Sequence, residues 1–159
     1  MKIALASDHR GFPAKERLKN LLLELGHEIV DHGTDSPGSV DYPDFARPAA
    51  ESVGAGRCER GVLLCGSGIG VSITANKVPG VRAALCHDEL MAEMSRRHND
   101  ANVLCLAADW LGEDAIHRMV RVWLATPFEA GRHSRRVEKM MALERGDGST
   151  HGSGARPPA

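Results

Sequence analysis

The chain has 159 residues, a length typical of one domain that can bury a sizeable core. Its formal net charge of −1 and its pI near 6.7 provide no overall basic field, which argues against nucleic-acid binding. No stretch approaches the ~18 consecutive apolar residues of a membrane span, and Asp8 comes too early for a signal peptide, so we expect a cytoplasmic protein with no membrane contact.

Short apolar runs alternate along the chain with segments of helical periodicity. The runs are almost continuously apolar or β-branched, which is typical of strands that helices cover on both faces. In chain order, the predicted strands are KIALA (2–6), HEIVD (27–31), GVLLC (61–65), VRAALC (81–86) and NVLCLA (102–107).

Helices are predicted between these strands because apolar residues recur there three or four positions apart, with proline or glycine near the ends. Pro48 is a local conflict inside one of them, since proline cannot donate a backbone hydrogen bond. The predicted helices lie between Pro13 and Gly26, over 42–53, 71–77 and 88–97, between Gly112 and Pro127, and over 133–145.

The alternation of strands and helices predicts one domain over residues 1–145. Its expected fold is α/β, with a doubly wound, five-stranded parallel sheet and helices on both faces. The remaining segment, 146–159, is rich in Gly, Ser and Pro and has no apolar periodicity. We predict that this tail is disordered, and we assign it no function.

Four cysteines lie far apart, at positions 58, 65, 86 and 105. They form no C-x-x-C pair and have no histidine at zinc-finger spacing, so no metal site is predicted. Cys65, Cys86 and Cys105 fall within predicted strands, where reduced and buried thiols are expected. Of the three, Cys65 has a neighbourhood that indicates chemistry.

Two loops follow predicted strands at the edge where parallel α/β sheets bind ligands: SDHRG (7–11) and GSGIG (66–70). Gly66, Gly68 and Gly70 let backbone N–H groups approach a ligand, and the following helix presents its positive end. Such a turn can bind phosphate, carboxylate or an oxyanion formed during a reaction. The pattern G-x-G-x-G matches neither the dinucleotide fingerprint nor a P-loop, and a plain tight turn is the alternative.

Cys65 directly precedes this glycine turn. A thiol beside a helix N-terminus ionises more readily, and a thiolate can act as a nucleophile or as a general base. Ser67 either passes a proton to the same intermediate or bonds only to nearby backbone. Asp8 and His9 end the first strand on the same edge, where Asp8 either contacts the ligand or caps the first helix.

Two further groups are candidates for function. His98 shares a helix face with Leu90 and Met91, so we expect it to point toward the sheet, as a structural or an acid–base histidine. Arg132 and Arg136 are four residues apart on one face of the last predicted helix. They either bind a phosphate or belong to a solvated charged face.

These motifs together resemble a known family, the type B ribose-5-phosphate isomerases with the related allose- and galactose-phosphate isomerases. The combination of CGSGIG, ANK.PG.RAA and HNDAN is highly specific, and the matching segments follow one another in the family's order from residue 2 to about 145. The segments are SDHRGFPAKE, DYPDFA, GVLLCGSGIGVSITANKVPGVRAAL, RRHNDANVL and GRHSRRVEK.

The resemblance implies a Rossmann-like fold and aldose–ketose interconversion of a sugar phosphate without a metal or an organic cofactor. It also implies a role in carbohydrate metabolism, in the pentose phosphate pathway. The expected assembly is a homodimer or a tetramer, with the C-terminal helix at a dimer interface and with active sites that use residues from both subunits.

The resemblance also implies roles for individual residues. Cys65 corresponds to the base that moves a proton between C1 and C2 of the sugar, Ser67 to its assistant, and His98 to the residue that opens the sugar ring. The remaining matched positions bind the substrate: an anion hole at Gly66, Ser67, Gly68, Ile69 and Gly70, sugar contacts at Asp8, His9 and Asn99, and phosphate contacts at Arg132 and Arg136, across the dimer.

One position departs from the family pattern. After the fifth predicted strand, LAADWLG places Asp109 where the family usually has a phosphate-binding arginine. Arg10 replaces a small or apolar residue of the family and is a candidate to compensate for Asp109. An aspartate repels a phosphate dianion, so we expect weaker phosphate binding or a different sugar phosphate, of the allose, galactose or tetrose type.

Two alternatives lie outside the isomerases. The first is a module that binds a sugar phosphate or a nucleotide without catalysis, although such a module would not need Cys65, Ser67 and His98. The second is a thiol redox protein, which is disfavoured because no resolving cysteine lies close to Cys65 in the sequence.

Overall fold

The computed structural model describes residues 1–146, so the predicted disordered tail lies outside the described residues from position 147 onward. All five predicted strands are confirmed, and they form one parallel sheet in the order β2-β1-β3-β5-β4. Only β4 is much shorter than its predicted run. The strands are β1 (Lys2–Ser7), β2 (Glu28–Asp31), β3 (Arg60–Cys65), β4 (Ala83–Leu85) and β5 (Val103–Ala107).

The predicted helices are also confirmed, with two changes at the ends. α3 begins at Ile69, two residues before the predicted start, and the last predicted helix is divided by short 3₁₀ turns at Gly131–His133 and Leu143–Arg145. No helix in this part of the chain is both long and apolar enough to cross a membrane. The helices are α1 (Phe12–Glu24), α2 (Pro43–Gly54), α3 (Ile69–Ala75), α4 (Glu89–Asn99), α5 (Glu113–Ala125) and α6 (Ser134–Ala142).

The sheet is covered on both faces, as the continuous apolar runs predicted. Alternate residues of β1 point to opposite faces, so Ile3 and Leu5 belong to one buried cluster and Ala4 and Ala6 to the other. The first cluster contains residues of α1, α4 and α5, and the second contains residues of α2 and α3. This arrangement is a doubly wound, Rossmann-like α/β fold.

The strand order reverses between β1 and β3. The chain leaves β1 through α1 toward β2 and leaves β3 through α3 on the opposite face, so the two connections diverge. Ser7 pairs with Leu64, and the two strands therefore end side by side. A crevice outside the carboxyl ends of strands at such a reversal is where doubly wound sheets bind ligands.

A buried lysine fastens α1 to the end of β2. The Lys15 side chain is 1% exposed, and its Nζ lies 2.6 Å from Asp31 Oδ2. Lys19 Nζ donates to the same oxygen at 3.0 Å, while the Gly33 N–H donates to Oδ1 at 2.9 Å. Burial by itself would raise the pKa of Asp31, but the hydrogen bonds from Lys15, Gly33 and Lys19 outweigh it and hold that pKa below the ordinary value.

We expect Lys15→Met to lower the free energy of unfolding by ~3 kcal/mol, because it leaves the Asp31 carboxylate, whose side chain is 26% exposed, without its closest partner. Urea unfolding at neutral pH measures this loss. The matched control is Lys19→Met, which removes an exposed partner of the same carboxylate and should cost less than ~1 kcal/mol. Because the pKa of Asp31 is lowered on folding, its stabilisation is complete above about pH 4 and is lost as the pH falls below that. Equal losses in the two variants would contradict the account.

Candidate active site

A cavity of about 320 Å³ opens at the carboxyl ends of β1 and β3. It brings together seven residues that the sequence analysis singled out, from the ends of three strands that lie far apart in the chain. We call it the thiol cavity, and its lining residues are Asp8, Arg10, Tyr42, Cys65, Gly66, Ser67, Gly70 and Asp109.

The Cys65 thiol is held by the turn that follows it. Its Sγ accepts a hydrogen bond from the Gly68 N–H at 3.1 Å, and the residue is only 4% exposed. Gly68 has a left-handed backbone with φ of 73°, and a Cβ there would lie 2.5 Å from Leu85 Cδ1 and 3.0 Å from the Leu106 carbonyl carbon. A glycine is therefore required for the turn to bend its N–H back onto the sulfur.

Ser67 and Ile69 complete the turn. The Ser67 hydroxyl accepts a hydrogen bond from the Ile69 N–H at 3.3 Å and also lines the cavity. Ser67 therefore bonds to local backbone and also faces the space beside Cys65, while its part in proton transfer stays a prediction. The Ile69 side chain is exposed, so this residue contributes through its backbone.

Gly66 and Gly70 make room for the cavity walls. A Cβ at Gly66 would lie 2.5 Å from Asp109 Oδ2, and a Cβ at Gly70 would lie 2.6 Å from the Tyr42 ring. The ion pair of Arg10 and Asp109 therefore packs against Gly66, and the Tyr42 ring packs against Gly70. The sequence analysis assigned no role to Tyr42, and the signal available was its position in DYPDFA, directly before the proline that opens α2.

Asp8 both closes its loop and lines the cavity. Its Oδ1 accepts hydrogen bonds from the N–H groups of Arg10 at 2.9 Å and Gly11 at 3.0 Å, just before α1 begins. His9 is not among the lining residues, because its Nδ1 accepts a hydrogen bond from the Val40 N–H at 3.2 Å. A neutral His9 with this bond carries its proton on Nε2.

Arg10 and Asp109 meet inside the cavity. Arg10 Nε donates to Asp109 Oδ2 at 2.8 Å, and Arg10 Nη2 lies 2.6 Å from the same oxygen. The hydrogen bond and the negative charge of Asp109 raise the pKa of Arg10. Asp109 thus faces the ligand space, and its charge is balanced by an arginine from the loop after β1.

His98 does not reach the thiol cavity. Its ring stacks on that of His133, with centroids 4.3 Å apart and planes 5° from parallel. The Nε2 atoms of His98 and His133 lie 3.8 Å and 3.7 Å from Glu129 Oε2. Burial and the nearby positive groups His98, Arg132 and Arg136 lower the pKa of His133, against the opposing charge of Glu129.

The prediction that His98 points toward the sheet was wrong. Leu90 and Met91, which were taken to mark the buried face of α4, are exposed. α4 instead buries Ala92 and Arg96. A charged residue can occupy that position because Arg96 Nη1 donates to the Ala101 carbonyl at 2.6 Å and to Asp100 Oδ1 at 2.8 Å.

Asn99, Arg132 and Arg136 also lie away from Cys65. Asn99 ends α4, Arg132 Nε lies 3.3 Å from His133 Nε2, and Arg136 is exposed on α6. Together with the two histidines and the carboxylate, they form what we call the histidine–arginine cluster: His98, Asn99, Glu129, Arg132, His133 and Arg136.

The two groups lie at opposite edges of the sheet. α4 ends just before β5, at the amino edge, whereas Cys65 pairs with Ala107, the last residue of β5, at the carboxyl edge. The five residues of β5 rise ~3.3 Å each, which separates its ends by ~13 Å. Within one chain, the predicted site residues are therefore split between the thiol cavity and the histidine–arginine cluster.

The histidine–arginine cluster contains three residues that could in principle bind a metal ion. Ligand atoms of His98, Glu129 and His133 lie within 4.8 Å of one another. However, Arg97 Nε donates to Glu129 Oε1 at 2.5 Å, and Arg132 Nε approaches the Nε2 atom that His133 would need for a metal. Arg132 therefore occupies the His133 nitrogen that faces Glu129, and the two guanidinium groups repel a cation, so the donor set fits a metal ion poorly.

The three cysteines outside the cavity are buried in surroundings that make their thiols unreactive. Cys58, Cys86 and Cys105 are buried, and burial raises the pKa of each thiol, that of Cys86 to about 11. Thiols in such surroundings stay protonated and unreactive at neutral pH. Cys65 differs because it faces a cavity.

Comparison with known proteins gives consistent matches along the chain. Residues 3–140 match the sequence profile of the family described as Ribose/Galactose Isomerase. The chain is 42% identical over 143 residues to ribose-5-phosphate isomerase B of Escherichia coli, covering 90% of this chain and 96% of that protein. It is 37% identical over 141 residues to D-erythrulose-4-phosphate isomerase of Pectobacterium atrosepticum, covering 88% and 93%.

Solved structures of family members also match this fold. The structure of Clostridium thermocellum ribose-5-phosphate isomerase B matches with a TM-score of 0.90 and 47% sequence identity. The match covers 92% of this chain and 99% of that one.

Proposed function

The chain belongs to the ribose/galactose isomerase family, and we propose that this sugar-phosphate isomerase interconverts ribose 5-phosphate and ribulose 5-phosphate through an enediolate. The relatives named as ribose-5-phosphate isomerase B support this choice of substrate. The observation that carries the proposal is the Cys65 sulfur, held by the Gly68 N–H in a cavity at the ligand-binding edge of the sheet.

In the proposed reaction, Cys65 is the base. Its thiolate takes the proton from C2 of the open-chain aldose, the electron pair forms the C1–C2 double bond, and the C1 carbonyl oxygen becomes the enediolate oxygen. The thiol then returns the proton to C1. The C2 hydroxyl loses its proton to the C1 oxygen as the C2 carbonyl forms, and Ser67 can carry that proton because its hydroxyl lines the same cavity.

The enediolate needs donors for its negative oxygen. In the turn from Gly66 to Gly70, the N–H groups of Gly68 and Ile69 already donate to Cys65 Sγ and Ser67 Oγ. We therefore assign the donor role to the other backbone N–H groups of this turn, at the start of α3. Loss of one such donor typically costs ~3 kcal/mol of transition-state stabilisation. Base and donors lie within one turn of chain, so both can reach the same two carbons.

We further propose that a second copy of the chain completes the site. His98 would open the sugar ring, taking the proton of the anomeric hydroxyl and returning one to the ring oxygen, with Asn99 contacting the sugar and Arg132 and Arg136 the phosphate. The separation of the two groups within one chain supports this, because a single copy cannot bring them together. The exposed Leu143 beside α6 supports placing that helix at the interface.

A tetrose phosphate is the second candidate substrate. The identity to a D-erythrulose-4-phosphate isomerase favours it. The ion pair of Arg10 and Asp109 inside the thiol cavity also favours it, because it lies where the resemblance led us to expect a phosphate-binding arginine. A substrate panel of four-, five- and six-carbon aldose phosphates distinguishes these possibilities within the isomerases.

Cys65→Ala is expected to lower kcat for ribose 5-phosphate by about 10³-fold, since general-base catalysis typically contributes 10²- to 10⁴-fold. Formation of ribulose 5-phosphate without added metal measures it. The matched control is Cys105→Ala, which removes a buried thiol outside the cavity. If Cys65→Ala keeps near wild-type turnover, Cys65 is not the base.

A mixing experiment tests the shared site. Cys65→Ala and His98→Asn homodimers should each be nearly inactive, because each lacks one group in both of its sites. Co-refolded in equal amounts, they should regain about a quarter of wild-type activity, since half of the dimers are mixed and each mixed dimer has one intact site. No recovery, with mixed dimers demonstrated by two affinity tags, would show that both residues must come from the same chain.

A further inference from the structure

We propose that the Arg10–Asp109 pair determines the specificity of the thiol cavity. Arg10 binds the anionic group of the substrate, a phosphate, and Asp109 is the positioning residue that directs Arg10 and moderates its affinity. The inference rests on the proposed function, because it names the residues that select a phosphorylated sugar at the same site.

The location of the pair supports a direct contact with substrate. Gly66 follows Cys65 immediately, and a Cβ on Gly66 would lie 2.5 Å from Asp109 Oδ2 and 2.8 Å from Arg10 Nε. The ion pair therefore lies directly against the residue next to the base. A substrate whose C1 and C2 are at the sulfur would extend past this guanidinium.

The guanidinium has donors to spare. Arg10 uses Nε and Nη2 on a single oxygen of Asp109, and an arginine has five N–H donors in a planar fork. Within residues 1–146, the remaining donors, including both on Nη1, have no hydrogen-bond partner and can meet a phosphate oxygen. The Arg10 side chain is 59% exposed, so a ligand can approach it without rearrangement of the core.

The charges of the cavity point to the same role. Arg10 is the one cation among the eight lining residues, which also include the carboxylates Asp8 and Asp109. Asp8 already accepts two backbone N–H groups, whereas Asp109 accepts from Arg10. A phosphate that enters this cavity would meet a net negative wall unless Arg10 turned toward it.

Arg10 can offset this negative charge by exchanging its bond to Asp109 for bonds to the phosphate. Exposed ion pairs contribute little stability, whereas a guanidinium forms strong bidentate hydrogen bonds with phosphate. The phosphate can therefore compete with Asp109 for Arg10, and Asp109 lowers the net affinity by competing and by repulsion. Arg10 thus acts from the chain that supplies Cys65, opposite the Arg132 and Arg136 side chains proposed to come from the second copy.

The test is calorimetric binding of ribose 5-phosphate, and separately of inorganic phosphate, to the full chain carrying Cys65→Ala, which does not consume the ligand. Adding Arg10→Ala should weaken both affinities by about 10-fold or more, whereas adding Asp109→Asn should tighten both by about 3-fold. Opposite signs are the signature of the proposal, because a pair with a merely structural role would weaken binding whichever partner is removed.

The matched control is Arg17→Ala, which breaks a similarly exposed ion pair, Arg17 Nε to Glu113 Oε2 at 2.8 Å, outside the cavity. It should leave both affinities unchanged, and thermal unfolding checks that each variant folds. Equal affinity in the Arg10→Ala protein, weaker binding on Asp109→Asn, or no binding of ribose 5-phosphate to the Cys65→Ala protein would each overturn the inference. Turnover by the Cys65-containing protein is scored separately: Arg10-dependent binding without turnover would refute the proposed isomerase reaction and leave this inference standing.

Discussion

The thiol cavity depends on one contact, the hydrogen bond from the Gly68 N–H to the Cys65 sulfur. It forms because Gly68 has a left-handed backbone and packs, without a side chain, against Leu85 and Leu106 of neighbouring strands. Any other residue would carry both the strain of that conformation, ~1–3 kcal/mol, and a direct clash. The same bend starts α3, so a single glycine positions the Cys65 sulfur and the first N–H groups of α3 together.

A second constraint comes from the parallel sheet itself. The carboxyl ends of the strands share one edge, which brings the loops after β1 and β3 together although their residues are distant in sequence. The end of α4 necessarily lies at the other edge, since it leads into β5. A reaction that uses both Cys65 and His98 would therefore need two copies of the chain, which is why we propose that the stacked His98 and His133 rings belong to a site that a second molecule completes.

Most of the fold could be predicted from sequence because its signals are local. Continuous apolar runs mark strands covered on both faces, and Cys65 with its glycines lies within six consecutive residues at a strand end. The contacts that the sequence could not establish join distant segments: Tyr42, which was given no role, lies against Gly70, and Arg10, which was only a candidate to compensate for Asp109, pairs with it across a separation of 99 residues. Spacing along the chain carries no information about such pairs.

The error at His98 has a different origin. The apolar Leu90 and Met91 suggested a buried face, but exposed apolar residues are common, and the buried position went to an arginine. Arg96 can be buried because backbone carbonyls and Asp100 satisfy its donors and because it lies 5.9 Å from the Trp123 ring. Hydrophobic periodicity cannot register a buried charge whose donors are satisfied by a carboxylate and a backbone carbonyl just beyond the end of the helix.

The central claim, proton transfer through an enediolate, is tested most directly by isomerisation of ribose 5-phosphate in D₂O, followed by NMR. The account predicts ribulose 5-phosphate that carries solvent deuterium at C1, because a proton held on a side chain exchanges with water. Ribulose 5-phosphate that forms without any deuterium, even after prolonged incubation, would indicate direct transfer of hydride between the carbons and would contradict it.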